Sequence, residues 1–274
     1  MNREKLRALQ LVQMSIMEDI HRVCVENNLR YYLIGGSALG AIRHKGFIPW
    51  DVDIDIAMPR PDYDVFVDVY SKKLKTRLAC LSYKTNKKWW SPHAIVIMKD
   101  SQIIDRNGSR QTDLRPSEIF VDILPLDVCP ENERLQKRQA SLLLLVRDIK
   151  NLKAAWISKQ DGLMKRFCKS LVKFLLSPFS WTLLNNWQQR IMTQYNETSK
   201  SGLWCSMVSH YGYEKLKMPA KVFGEPMLTD FENTRFYVPE QVTEYLTRIF
   251  GDFMRLPSIE SQQKQIETFV DAIW

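Results

Sequence analysis

The sequence predicts an α+β fold: an α/β first half, residues 1–128, integrated with a mostly helical second half, residues 129–274. Three observations lead there. Short β-prone runs, one with clear period-2 alternation, fall in the first half. A Gly-Gly-Ser break joins one such run to a short helical pattern. Beyond Glu131 long helical stretches follow and strand signals fade.

Leu6, Leu9, Val12, Ile16, Ile20 and Val23 recur at three- and four-residue steps, which predicts an amphipathic helix closed by Asn27-Asn28. Tyr31 to Ile34 is β-prone. Gly35, Gly36 and Ser37 break it, and Ser37 is placed to cap a helix running to His44. Gly46 and Pro49 mark a loop. Val52, Ile54 and Ile56 then alternate with Asp51, Asp53, Asp55 and Ala57, predicting a strand with one apolar and one acidic face. Pro59 and Pro61 are expected to end it before a helix from Asp62 to about Lys73. His93 to Lys99 and Ile119 to Leu124 read as further strands, the second stopped by Pro125. Gly202 to Gly224 reads as loop, and Pro239 to Phe250 and Ser258 to Trp274 as closing helices.

At 274 residues the chain can bury a sizeable core. No stretch approaches the ~20 apolar residues that span a bilayer, and the N-terminus has no secretory pattern. The cysteines, Cys24, Cys80, Cys129, Cys168 and Cys205, are scattered and form no C-x-x-C pair. Neither a zinc site nor a disulfide framework is expected, and a reducing cytoplasm fits. The net charge is +8, but residues 134–200 alone hold 13 Lys or Arg against three acidic residues, a local +10. Nucleic acid, an anionic membrane or a phosphorylated substrate would suit such a surface.

The chemistry concentrates in the first half. Glycines let a backbone approach a phosphate, and a helix N-terminus offers N–H groups to it, so Gly35, Gly36 and Ser37 are candidate substrate contacts. Asp53 and Asp55, two apart on a strand, share a face with Asp51. Such crowding of like charge calls for a cation, and all-oxygen ligands suit Mg2+ or Mn2+. Asp122 is a lone carboxylate in an apolar strand, costly to bury unless paired or metal-bound. Beside the Asp53 strand it would complete a cluster. Asp51, Asp53, Asp55 and Asp122 are therefore the candidate metal ligands, and Asp53, Asp55 and Asp122 the candidate catalytic residues. Arg43, His44 and Lys45 lie between the glycine turn and the carboxylates, where they could neutralise a donor phosphate.

Leu33-Ile34-Gly35-Gly36-Ser37, Asp53-Ile54-Asp55 and a later strand Asp together resemble the nucleotidyltransferase fold of the polymerase β type, a mixed sheet flanked by helices. More narrowly, residues 34–58, IGGSALGAIRHKGFIPWDVDIDIAM, resemble the LicD family. Phe120 to Asp127, Tyr245-Leu246 and Gly251 to Pro257 look like it too. Val52 stands where relatives usually carry another Asp, though its side chain should point to the opposite face. Ser258 replaces a proline, and a terminal His is absent. The resemblance implies transfer of phosphocholine, or another phospho-alditol or phospho-alcohol, from a CDP-linked donor to a hydroxyl of a glycan or lipid-linked glycan, with release of CMP. Two divalent ions would clamp the attacking and leaving oxygens, and Asp122 is the first choice to accept the proton.

Two rival readings remain: a nucleotidyltransferase moving NMP from an NTP, and a non-catalytic scaffold or nucleic-acid-binding domain using the basic segment. The acidic strand argues against nucleic acid, because carboxylates repel phosphate unless metal intervenes. Trp50 is the first aromatic candidate to meet a choline head, ahead of Tyr63, Trp89 and Trp90. His21 and His210 have no metal-like spacing, and His93 stands where it could approach the site. Lys165, Lys169 and Lys173 form one helical stripe beside Phe167, Leu171, Phe174 and Leu175. Residues 163–181 therefore read either as peripheral contact with the inner face of the cell membrane or as a core helix with a wet lysine face.

Overall fold

The computed structural model describes residues 3–73, 77–105, 117–154, 162–208, 211–266 and 269–273. Their elements in chain order are α1 Arg3–Glu26, β1 Tyr32–Leu33, α2 Gly35–His44, β2 Asp55–Pro59, α3 Arg60–Ser71, β3 Leu78–Leu81, β4 Ala94–Met98, β5 Gln102–Asp105 and β6 Ile119–Val128. The second half adds α4 Glu133–Ala154, α5 Leu163–Leu175, α6 Trp181–Thr193, β7 Leu203–Cys205, α7 Tyr213–Leu216, β8 Met218–Pro219 and α8 Ala220–Phe223. It closes with β9 Met227–Phe231, β10 Thr234–Val238, α9 Val242–Phe250, α10 Ile259–Ile266 and β11 Phe269–Ile273.

The main sheet runs β1-β2-β6-β4-β3, with β7 and β8 extending it from the far end of β6. β2 and β6 are parallel and the other pairs antiparallel, so the sheet is mixed. α1 lays Leu6, Leu9, Ile16, Met17 and Ile20 into the core and ends at Glu26, and Asn28 just beyond it takes the left-handed conformation that a helix terminus favours. That core is continuous from α1 through the sheet to Phe223, Phe236 and Leu246 of the second half.

Several expectations need correction. The acidic strand begins at Asp55, and Asp51 to Ile54 precede it as an extension held by α1. Pro61 does not end a strand but lies in the first turn of α3, where a missing N–H costs nothing. Pro125 does not stop β6. Asp122 N–H reaches Ile54 O on the β2 side, so by alternation residue 125 faces the other edge. On that edge β4 pairing ends at Ile123 and β7 pairing starts at Asp127, so proline occupies the gap between them. The second half is not strand-free. Beyond β7 and β8 it holds the β9–β10 hairpin, and the tail expected to be helical ends in β11, paired with β5.

The Arg60–Asp127 ion pair of the first half anchors two side chains of the second, Gln189 and Asn196. Asp127 is fully buried and takes a two-pronged ion pair, Nε to Oδ1 at 2.8 Å and Nη2 to Oδ2 at 2.5 Å. Asn196 donates to the same carboxylate, and Arg60 also donates to Gln189 of α6. Removing one partner strands a buried charge. Asp127→Ala is therefore expected to lower unfolding free energy by about 3–5 kcal/mol, read by urea denaturation. A loss under about 1 kcal/mol would show that water reaches Arg60 and the ion pair is not buried.

Candidate active site

The parallel pairing of β2 and β6 sets Asp55 directly opposite Asp122. Asp51 and Asp53 come up on the preceding segment, fastened from outside the sheet. Gln10 of α1 donates to Asp51 O at 3.0 Å, and Gln13 donates to Val52 O at 2.9 Å. Val52 is partly buried and packs against the core.

The Gly-Gly-Ser turn serves the same cluster. Gly35 has φ +54, a conformation side chains rarely adopt, and its N–H donates to Tyr245 Oη at 3.0 Å. A Cβ on Gly36 would stand 2.5 Å from Asp51 Oδ2, so only glycine lets that carboxylate close on the helix start. Ser37 is not the helix cap. Ile34 holds that position, and Ser37 Oγ instead accepts the Asp55 N–H at 2.9 Å.

Crowding and burial perturb the acids. Burial first, then the charges of neighbouring acids, hold Asp53 and Asp55 well above the usual carboxylate range. Asp51 is raised by burial and shares a hydrogen bond with Asp53. Asp122 stands apart in its bonding: Oδ1 lies 2.8 Å from His93 Nε2, and His93 Nδ1 lies 2.8 Å from Ser91 Oγ. In the tautomer with the proton on Nε2, that N–H donates to Asp122 and Nδ1 accepts from the Ser91 hydroxyl. Among the described residues no three acidic, His or Cys side chains stand as a ready-made ligand set around one point.

Two cavities open on the cluster. One of about 240 Å³ runs from Asp53, Asp55, His93 and Asp122 to apolar walls that include Leu124 and Phe223. Ser206 lines it, with a buried hydroxyl that has no protein partner. The other, about 570 Å³, is bounded by Gly36, Arg43, Trp50, Asp51, Asp53 and Asp55 on one side and Asp252 to Ser258 on the other. Tyr211 borders both, its phenol pushed up to about 12 by burial and by the nearby aspartates.

The remaining candidates divide. Arg43 reaches the larger cavity while donating to Phe253 O at 2.7 Å, and burial lowers its pKa. Trp50 is buried, its ring edge-on to His44, and lines the larger cavity. Lys45 borders neither cavity. It takes the left-handed position after α2, and its carbonyl accepts from Glu232 N–H at 2.7 Å. His21 bonds Tyr31 Oη away from the site, and His210 lies outside the described residues. Ser206 and Tyr211 gave no sequence signal as site residues, because neither stands at a diagnostic spacing.

A glycine turn and helix start closing on carboxylates from two parallel strands define a transferase site of the nucleotidyltransferase type. The sequence profile described as "LicD/FKTN/FKRP, nucleotidyltransferase domain" matches residues 28–139. The lipopolysaccharide cholinephosphotransferase LicD of Haemophilus influenzae is 32% identical over 275 residues, covering 96% of each chain. An uncharacterized protein of Rickettsia prowazekii is 43% identical over 56 residues, 20% of each chain. The chain belongs to the LicD family and is an enzyme, a phosphotransferase of the LicD type.

The raised acids imply a pH signature. A carboxyl whose folded pKa exceeds its unfolded value contributes stability below about pH 4, and that contribution is lost as pH rises through the folded pKa. The metal-free protein is expected to lose melting temperature as pH climbs from about 4 toward neutral, and Asp53→Asn to flatten that decline. At neutral pH the variant is expected to melt at the same temperature or higher. Parallel pH–Tm curves for the two proteins would sink this account.

Proposed function

We propose that the protein moves phosphocholine, or a related phospho-alcohol, from a CDP-linked donor to a hydroxyl of a cell-surface glycan or its precursor, releasing CMP. The observation that carries this reading is the facing register of Asp55 and Asp122, with Asp53 beside them, where two cavities meet. The name of the Haemophilus relative supports phosphocholine as the transferred group and a lipopolysaccharide glycan as acceptor. The family description, a nucleotidyltransferase domain, is compatible with NMP transfer as well, and it is the name of the Haemophilus relative that favours phosphocholine.

The donor chemistry of the cluster fits Mg2+ or Mn2+: hard oxygens, crowded and raised in pKa, with no Lys or Arg ion pair at Asp51, Asp53 or Asp55 among the described residues. Asp51, Asp53, Asp55 and Asp122 would hold it, and it would supply charge neutralisation at the transferring phosphate. The rest falls to the chain. The larger cavity, with Arg43 and the start of α2, suits the nucleotide end of the donor. Asp122, oriented by His93, accepts the proton of the attacking hydroxyl.

Asp53→Asn keeps shape and removes one charge. Turnover measured as CMP release is expected to fall at least about a hundredfold. Wild type should also gain melting temperature when Mg2+ or Mn2+ is added with CDP-choline, and the variant should gain less. The same assay with CTP and ATP, watching for pyrophosphate, separates this reading from NMP transfer. More than about a tenth of wild-type turnover at saturating metal refutes the metal role of Asp53, since tenfold is worth only ~1.4 kcal/mol.

The enzyme works, on this reading, at the inner face of the cell membrane, held through α5. Among the described residues no helix is long and apolar enough to cross a membrane. The core-helix alternative for α5 fails on one observation: its apolar side faces solvent, with Leu163 85%, Phe167 65% and Phe174 74% exposed. Lys169 and Lys173 are the half-buried ones, and the side chain of Lys165 lies outside the described residues. An exposed apolar face with basic residues around it suits an anionic bilayer surface. Phe167→Ser with Phe174→Ser is expected to abolish co-sedimentation with phosphatidylglycerol liposomes and leave the circular dichroism unchanged. Undiminished sedimentation, or a concentration-dependent dimer that the substitutions dissolve, would assign the face elsewhere.

A further inference from the structure

A third cavity, of about 660 Å³, lies against the same site and has no role in the reading above. It meets the carboxylate cavity at His93, Val208 and Tyr211 and does not include Asp51, Asp53 or Asp55. It therefore approaches the cluster from the His93–Asp122 side, whereas the cavity assigned to the nucleotide approaches from the α2 side.

Its charge is the reverse of the cluster's. Lys150 is buried in its wall, and among the described residues its ammonium is held by neutral groups: Asn185 Oδ1 at 2.5 Å, Gln188 Oε1 at 2.6 Å and Trp90 O at 3.1 Å. Burial drives its pKa down to about 7. Arg147 and Lys215 stand exposed on the lining. Glu214, the acid on that lining, is paired with Lys217 at 2.8 Å, and the Asp148 contact to Arg147 is long and solvent-exposed. Leu143, Met207 and Val208 supply apolar wall of the kind the C–H face of a sugar ring covers.

From this geometry we propose that the third cavity is the acceptor subsite, and that it takes a saccharide bearing an anionic group such as a phosphate. The assignment rests on the transferase reading above. Arg147 and Lys215 contact the anion, and Lys150, whose three N–H donors are already used, contributes field. The acceptor hydroxyl then lies toward Asp122. Its oxygen attacks the donor phosphorus, its proton passes to the Asp122–His93 pair, and the P–O bond to CMP breaks with the electron pair leaving on CMP. Most of the lining falls between residues 140 and 215, outside the stretch matched by the family profile.

The test uses the full chain and two probes, glucose and glucose 6-phosphate, with equilibrium binding read by ligand-observed NMR. Glucose 6-phosphate should bind at least about tenfold more tightly, with an advantage that shrinks as salt is raised. The double variant Arg147→Glu, Lys215→Glu should lose at least about tenfold in that affinity and keep its Kd for CDP-choline within about twofold. Equal affinity for the two sugars, or a phosphate preference the double variant retains, overturns the proposal. CMP release from CDP-choline into water needs no acceptor and is measured on the same sample. Its absence with preserved, variant-sensitive sugar-phosphate binding would sink the donor reading and leave the subsite standing; its presence with no phosphate preference would do the reverse.

Discussion

Four carboxylates brought together repel one another, and this enzyme is organised around holding them in place against that repulsion. The parallel register of β2 and β6 puts Asp55 and Asp122 face to face. Everything adjoining then works as a brace. Gln10 and Gln13 reach out of a buried helix face to pin the backbone of Asp51 and Val52, which no strand partner holds. Ser37 takes the Asp55 N–H, and Gly36 makes room for the Asp51 carboxylate. Tyr245, from a helix more than two hundred residues along the chain, takes the Gly35 N–H. These are neutral donors and acceptors, so they fix position and leave the negative charge uncompensated. On the proposed metal reading, binding a cation would release repulsion already built into the fold.

The second half is joined to the first by polar clamps as well as by apolar packing. Asp127 receives Arg60 from α3 and Asn196 from beyond α6. A second set grips the segment leading into β4. Asn185 donates to Trp89 O, Lys150 to Trp90 O and Gln189 to Pro92 O. Three side chains from α4 and α6 thereby fix the backbone just before His93, and so aim its ring at Asp122. Helices that carry no candidate catalytic residue of their own still set the geometry of one, because a buried backbone carbonyl must find a donor wherever the fold offers one.

α5 runs against the usual rule for a helix on a folded domain. Its phenylalanines face outward while Lys169 and Lys173 are half-buried, an arrangement that costs free energy in water unless another surface covers it. The amphipathic pattern was plain in the sequence. Which of its two faces met the protein was not, since periodicity fixes the angle between faces and not their orientation toward the core.

The sequence by itself determined the elements whose signal is local: α1 from its apolar period, the Gly-Gly-Ser turn, and the acidic stretch that carries Asp51, Asp53 and Asp55. It also determined the family, because residues 34–58 carry a pattern too long and particular to arise from patterning alone. Tertiary structure decided the rest. Asp122 became a partner of Asp55 only through strand order, which no spacing of 67 residues encodes. Pro125 could stay in β6 only because the neighbouring edge is vacant there. Ser37, read as a helix cap, was taken by a strand N–H that packing brought nearer. β7 and β11 pair with edges of β6 and β5 that lie far from them along the chain. His93, Tyr211 and Ser206 entered the site by the same route. A side chain's chemistry is written in the sequence, but the groups it meets belong to segments far along the chain, and only the folded backbone brings them within reach.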